Sequence, residues 1–147
     1  MEVNMLKLRW SEDLSVNIPM FDEEHKILIE MLDKIGKAIE LKDNQKEIAG
    51  ILDQLTKYAK LHFSHEEEIM LKYLYPDAAE HIRQHEAFIE KIYKITYNYN
   101  MLPESSHTKD DDYHLYLEVY NFLAGWFHSH IKKIDKKYTE FLLEAGI

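Results

Sequence analysis

Between Ile48 and Ile69 the apolar residues recur every three or four positions, at Ile48, Ile51 or Leu52, Leu55, Ala59 and Ile69. That spacing is the face of one amphipathic helix and leaves no room for a strand reading. The feature that constrains the fold most is what interrupts it. His62 and Glu66 sit on the same stripe, one turn apart, where a leucine would be expected.

Three further stripes follow the same rule. Asp22 is positioned to cap a first helix running to about Leu41, with His25, Leu28 or Ile29, Leu32, Gly36 and Ile39 inward. The composition "KDNQ" at 42–45 predicts a turn. After the break at Pro76–Asp77, a third stripe carries His81, His85, Phe88, Ile92, Ile95 and Tyr99. "NMLPESSHTKDDD", 100–112, predicts the longest and most mobile connection. A fourth stripe holds Tyr116, Val119 or Tyr120, Leu123, Trp126 or Phe127, and His130, and a short helix is expected from Lys136 to Leu143. With only four glycines and three prolines, the chain reads as all-α. Short connections imply an up-down-up-down antiparallel four-helix bundle, with an N-terminal arm and a short C-terminal helix. Residues 1–147 are expected to form a single domain.

Depth along the helices brings the interrupting residues together. His25 lies near a helix start, His62 and Glu66 near an end, His81 and His85 near a start, and His130 near an end. In an antiparallel bundle all of these fall at one end. Each leg between His25, the first turn and His62 is about 17 residues, roughly 25 Å at the helical rise. A lone inward histidine is usually a hydrogen-bonded core residue. Several imidazoles and a carboxylate in one apolar layer would cost several kcal/mol without a cation, so the layer reads as a metal site. "HIRQH" at 81–85 supplies two ligands to it.

Asp135 follows His130 by five residues, and five steps of an ideal helix rotate by about 140°. Either the helix is distorted there, by a π-bulge or in its terminal turn, or Asp135 is a surface residue; the spacing leaves both open. If it joins, the ligands exceed what one first-row metal takes, and imidazoles with bridging carboxylates favour a di-iron pair. Two octahedral metals with one shared oxygen then keep a single open position for a small diatomic ligand.

"FDEEH" (21–25), "HFSHEE" (62–67), "HIRQH" (81–85) and "HIKKID" (130–135) resemble the hemerythrin signature in order and spacing, as do Trp10 in the arm and Trp126 one turn before His130. The resemblance spans essentially the whole chain. It implies a cofactor of two iron ions (Fe2+/Fe3+) with a bridging oxo or hydroxo group. His81, His85 and His130 would hold the saturated iron, His25 and His62 the iron with the vacancy, and Glu66 and Asp135 would bridge. The function implied is reversible O2 binding for transport, storage or delivery, with no enzyme activity. The alternative is an O2, redox or nitric oxide sensing module. Phe63, Trp126, Phe127, Ile131, Leu28, Ile29 and Leu123 are expected to line an apolar O2 pocket. His65, His107, His114 and His128 are assigned to the surface, and Glu67 and Glu68 to a solvated run, while Lys132 has no assigned orientation.

The remaining bounds are compositional. A formal charge of −9 argues against nucleic acid or anionic lipid as a partner, and the acidic surface favours a monomer. No apolar run approaches the roughly 20 residues of a membrane span, and the start lacks a secretory signal. With no cysteine there are no disulfides, thiolate ligands or iron–sulfur clusters, which fits a cytoplasmic location. Sensors usually carry an attached output domain, for which this length has little room, so a free-standing binder is expected. A protein accepting the O2 is left unnamed.

Overall fold

The computed structural model describes residues 5–42 and 45–147. Four long helices follow one another: α1 (Pro19–Glu40), α2 (Gln45–Lys72), α3 (Ala78–Asn100) and α4 (Lys109–Ser129). A π-helical turn, His130–Asp135, joins α4 directly to α5 (Lys136–Glu144). Among the described residues there is no strand. α1 packs against α2 and α4, and α3 against α2 and α4, so the helices form the up-down-up-down square that the stripes predict. The core is continuous from Leu28, Leu32 and Leu55 through Met70 and Phe88 to Leu123 and Tyr138.

Helix boundaries depart from the sequence reading in two places. α1 starts at Pro19, three residues before Asp22. Proline at the first helical position has its φ already set and lacks an N–H that would otherwise go unpaired. Asp22 is thereby released from capping, and it accepts hydrogen bonds from the Val16 backbone N–H (2.8 Å) and the Ser15 hydroxyl (2.6 Å). It fastens the arm to the bundle. α4 starts at Lys109, inside the polar stretch expected to be loop. There Thr108 and Asp111 form a reciprocal capping box, and Asp110 to Asp112 complement the helix dipole. In the predicted turn at 42–45, Asp43 and Asn44 lie outside the described residues. Lys42 ends α1 in the left-handed region, at φ 52°.

Gly36 explains itself by close approach: a Cβ there would meet the Tyr120 ring of α4 at 3.0 Å. The arm crosses the same face. The Leu6 N–H donates to Asn121 Oδ1 (2.9 Å), and Leu8, Leu14 and Val16 are buried.

Candidate metal centre

The ends of four helices meet where the polar residues interrupt the core. His25, His62, Glu66, His81, His85, His130 and Asp135 are each at most 4% exposed. They form two groups sharing one carboxylate. His81, His85, His130 and Asp135 place one donor atom each within 4.8 Å of one another, and so do His25, His62, Glu66 and Asp135. The π turn makes this possible. Its widened ladder turns Asp135 back to the face of His130, so that Asp135 Oδ1 lies 3.1 Å from both His130 Nε2 and His81 Nε2. The other oxygen, Oδ2, lies 3.2 Å from His25 Nε2 in the second group. Glu66 also faces both groups, with Oε1 2.5 Å from His62 Nε2 and Oε2 3.7 Å from His81 Nε2.

Two of the imidazoles are fixed from behind by carboxylates. His62 Nδ1–H donates to Glu24 Oε1 (2.8 Å), and His85 Nδ1–H donates to Glu67 Oε2 (2.8 Å). Such a bond selects the tautomer with its proton outward and its Nε2 lone pair inward. The inward nitrogens then face each other: His25 and His62 Nε2 at 3.1 Å, and His130 Nε2 at 3.1 Å from His81 and 3.2 Å from His85. Nitrogens this close can share a proton only two at a time, whereas a cation among them satisfies every lone pair turned inward. Glu66 Oε1 and Asp135 Oδ1 are buried and, among the described residues, have only these imidazole nitrogens within reach, which poses the same demand. The donor set fits metal ions.

The electrostatics agree. Burial alone would push the His62 imidazole down, but the Glu66 carboxylate and the bond to Glu24 carry it up to about 10. A site that attracts a proton so strongly attracts a metal cation in its place. Burial opposes ionisation of Asp135, yet His130, His25 and His81 hold its carboxyl well below the usual range. Glu24 is lowered too: burial pushes it up, and its bonds to His62 and His65 outweigh that. His85 goes the other way, down to about 3, because burial dominates and His130 and His81 add repulsion.

Aromatic rings wrap the cluster. Phe63 stacks on His85 at 3.9 Å and 8°, and Trp126 stacks on His130 at 4.2 Å and 12°. Both therefore lie on the three-histidine side, while Phe21 meets His62 edge-on. Leu28, Leu123, Phe127 and Ile131 are all buried to within 2%, and Ile29 to within 4%. Ile29 borders an outer recess shared with Trp10 and Lys26, where the ammonium lies 5.0 Å over the Trp10 ring.

Two surface assignments are corrected. His65 is half-buried because its Nδ1–H donates to Glu24 Oε2 (2.6 Å), and Glu67 is half-buried as the partner of His85. The sequence reading missed Glu24, Glu67 and Tyr138. Glu24 and Glu67 each directly neighbour a stripe residue, His25 and Glu66, and that adjacency was the available signal. The Tyr138 hydroxyl donates to the Glu66 carbonyl (3.1 Å), pinning the turn that presents this carboxylate. His114 and His128 are exposed as expected, and His107 packs edge-on to Tyr99 far along α3. Lys132 points to the arm, 2.9 Å from Asp13.

Comparison with known proteins gives one consistent result. The profile of the Hemerythrin HHE cation binding domain matches residues 16–142. The chain is similar to a bacteriohemerythrin of Stenotrophomonas maltophilia, 29% identical over 92% of this chain and 82% of that one. It is also similar to a bacteriohemerythrin of Clostridium acetobutylicum, 28% identical over 89% of this chain and 98% of the other. Hemerythrin subunit 2 of Golfingia vulgaris is 25% identical over 88% of each chain.

Proposed function

The chain belongs to the hemerythrin family, whose cofactor is a non-haem pair of iron ions, and on that premise we propose that it binds O2 reversibly as a carrier, store or local supplier. The observation that carries this reading is the shared carboxylate: five imidazoles fall into a group of three and a group of two, joined through Asp135 and Glu66. In this reading His81, His85 and His130 would hold one iron and His25 and His62 the other, with Glu66 and Asp135 facing both groups. When bound, the iron pair would supply a position for O2 and the electrons that its binding draws on.

The residues do the rest. Glu24 and Glu67 orient one imidazole in each group, and neutral imidazoles favour the ferrous state. Leu28, Ile29, Leu123, Phe127 and Ile131, with Phe63 and Trp126 over the other group, form an apolar wall that excludes water from the end of the bundle. That wall favours a small apolar ligand such as O2 and slows one-way oxidation. The chain is read as a single domain, acting as a monomer in the cytoplasm. No helix of the described residues is long and apolar enough to cross a membrane.

The test is the visible spectrum of the iron-loaded protein, reduced, exposed to air, and deoxygenated again. Colourless to coloured and back is the expected outcome. A single, irreversible change to a ferric spectrum would favour a redox sensor, and absence of iron-dependent colour would overturn the ligand assignment.

A further inference from the structure

A surface recess of about 460 Å³ opens between α2 and α3 directly above the three-histidine group. His85 and Phe63 form its floor, with their rings face to face at 3.9 Å. His85 is only 2% exposed, so the recess reaches the imidazole through one aromatic ring in van der Waals contact. It also reaches it through Glu67, which lines the recess and accepts the His85 Nδ1–H. Ile89 and Tyr93 supply apolar walls, and the exposed carboxylates of Glu86 and Glu90 stand on the rim. The cation there, Lys60, is engaged by the Tyr93 hydroxyl and lies 4.7 Å over the ring.

A short route from solvent to a metal-binding imidazole, through a stacked ring and with little water, suits electron transfer. An apolar centre with a rim on which carboxylates outnumber the one lysine suits a weak, charge-steered encounter. We propose that this recess is the port through which electrons enter and leave the iron pair, and that its partner is a redox protein presenting a lysine- or arginine-rich rim around an exposed cofactor edge. The proposal rests on the di-iron reading. Each iron passes one electron: Fe(II) becomes Fe(III) as one partner cofactor is reduced by one electron. Two partner molecules therefore oxidise one pair, and the reverse flow reduces it.

The experiment oxidises the reduced, iron-loaded protein anaerobically with two electron acceptors of opposite charge, a basic ferric c-type cytochrome and ferricyanide. The double variant Glu86→Gln/Glu90→Gln should slow cytochrome reduction about three- to tenfold at low salt, and should speed the reaction with ferricyanide. Both differences should fade as ionic strength rises. Glu30→Gln, on the helix diagonal to α3, should leave both rates within about twofold. A second readout is independent of electron flow: carbodiimide labelling of Glu86 and Glu90, but not Glu30, should fall when the cytochrome is present. Equal changes with both acceptors, unchanged rates, or protection elsewhere would overturn the port. Failure to oxidise with either acceptor, together with no iron-dependent colour, would instead sink the di-iron reading itself.

Discussion

Glu24 offers the sharpest test of how the site is held. Its two oxygens accept from two imidazoles, His62 at 2.8 Å and His65 at 2.6 Å, and its side chain is only 11% exposed. Water therefore cannot fully take its place. Glu24→Ala leaves His62 Nδ1 buried without a partner and frees the ring to turn. A charge-assisted hydrogen bond of this kind contributes about 1.5–3 kcal/mol, and removing a partner behind a metal ligand lowers metal affinity by roughly 10–100-fold. The two figures agree, since about 1.4 kcal/mol is tenfold. Glu24→Gln separates the bond from the charge. Its amide oxygen can still accept from His62 while its amide nitrogen donates to the other tautomer of His65. Its loss should stay under about tenfold, because a neutral hydrogen bond is roughly half as strong. The assay is equilibrium competition for iron with a coloured chelator, with far-ultraviolet circular dichroism as the check on folding. Wild-type affinity in Glu24→Ala would refute the orienting role. Equal loss in both variants would mean that the charge, not the bond, is what matters.

Three further outcomes follow from the geometry. In the metal-free protein, His62 is raised to about 10, so its contribution is full below about pH 6.5 and is lost as pH rises towards 10. His85 is lowered to about 3, so its contribution is present above about pH 6.5 and is lost as pH falls towards 3. Melting temperature against pH should therefore peak near 6.5 without metal, and a flat profile would contradict both shifts. Gly36→Ala drives a methyl to 3.0 Å from a Tyr120 ring that is 4% exposed and has little room to yield, for a loss of about 1–3 kcal/mol in urea unfolding. Thr108→Ala removes the capping box of α4 and should cost about 1 kcal/mol in the same measurement; no loss would mean the box is not formed in solution.

The bundle was legible because burial imposes a period. Ile48, Leu55 and Ala59 are completely buried, and a stripe of that regularity admits one helix face; its expected end at Ile69 is only half-buried, and the next residue, Met70, takes the core position. Boundaries were less legible because local chemistry competes for the same residue. Asp22 has the composition of a cap, yet Pro19 starts the helix earlier and Asp22 serves the arm. Residues behind the imidazoles were hidden for a different reason. Glu24 and Glu67 lie off the stripes, on flanks that alternate between solvent and neighbour, and only the crossing of two helices decides which.

Asp135 marks the limit more exactly than any boundary. Five residues on an α-helix would point it about 140° away from His130, and nothing in "HIKKID" by itself announces a wider turn. The reason for that turn is tertiary. Lys132 pairs with Asp13, and the Lys136 ammonium donates to the Asp13 carbonyl at 2.5 Å, so the arm holds the outer side of the segment. Buried Ile131 and Tyr138 hold its inner side. A π turn is the ladder that keeps His130 and Asp135 inward together while both lysines reach the arm. The described part of the arm thus supports the site. Weakening it at Asp13 should loosen the Asp135 carboxylate, which the two groups share, before it loosens any imidazole.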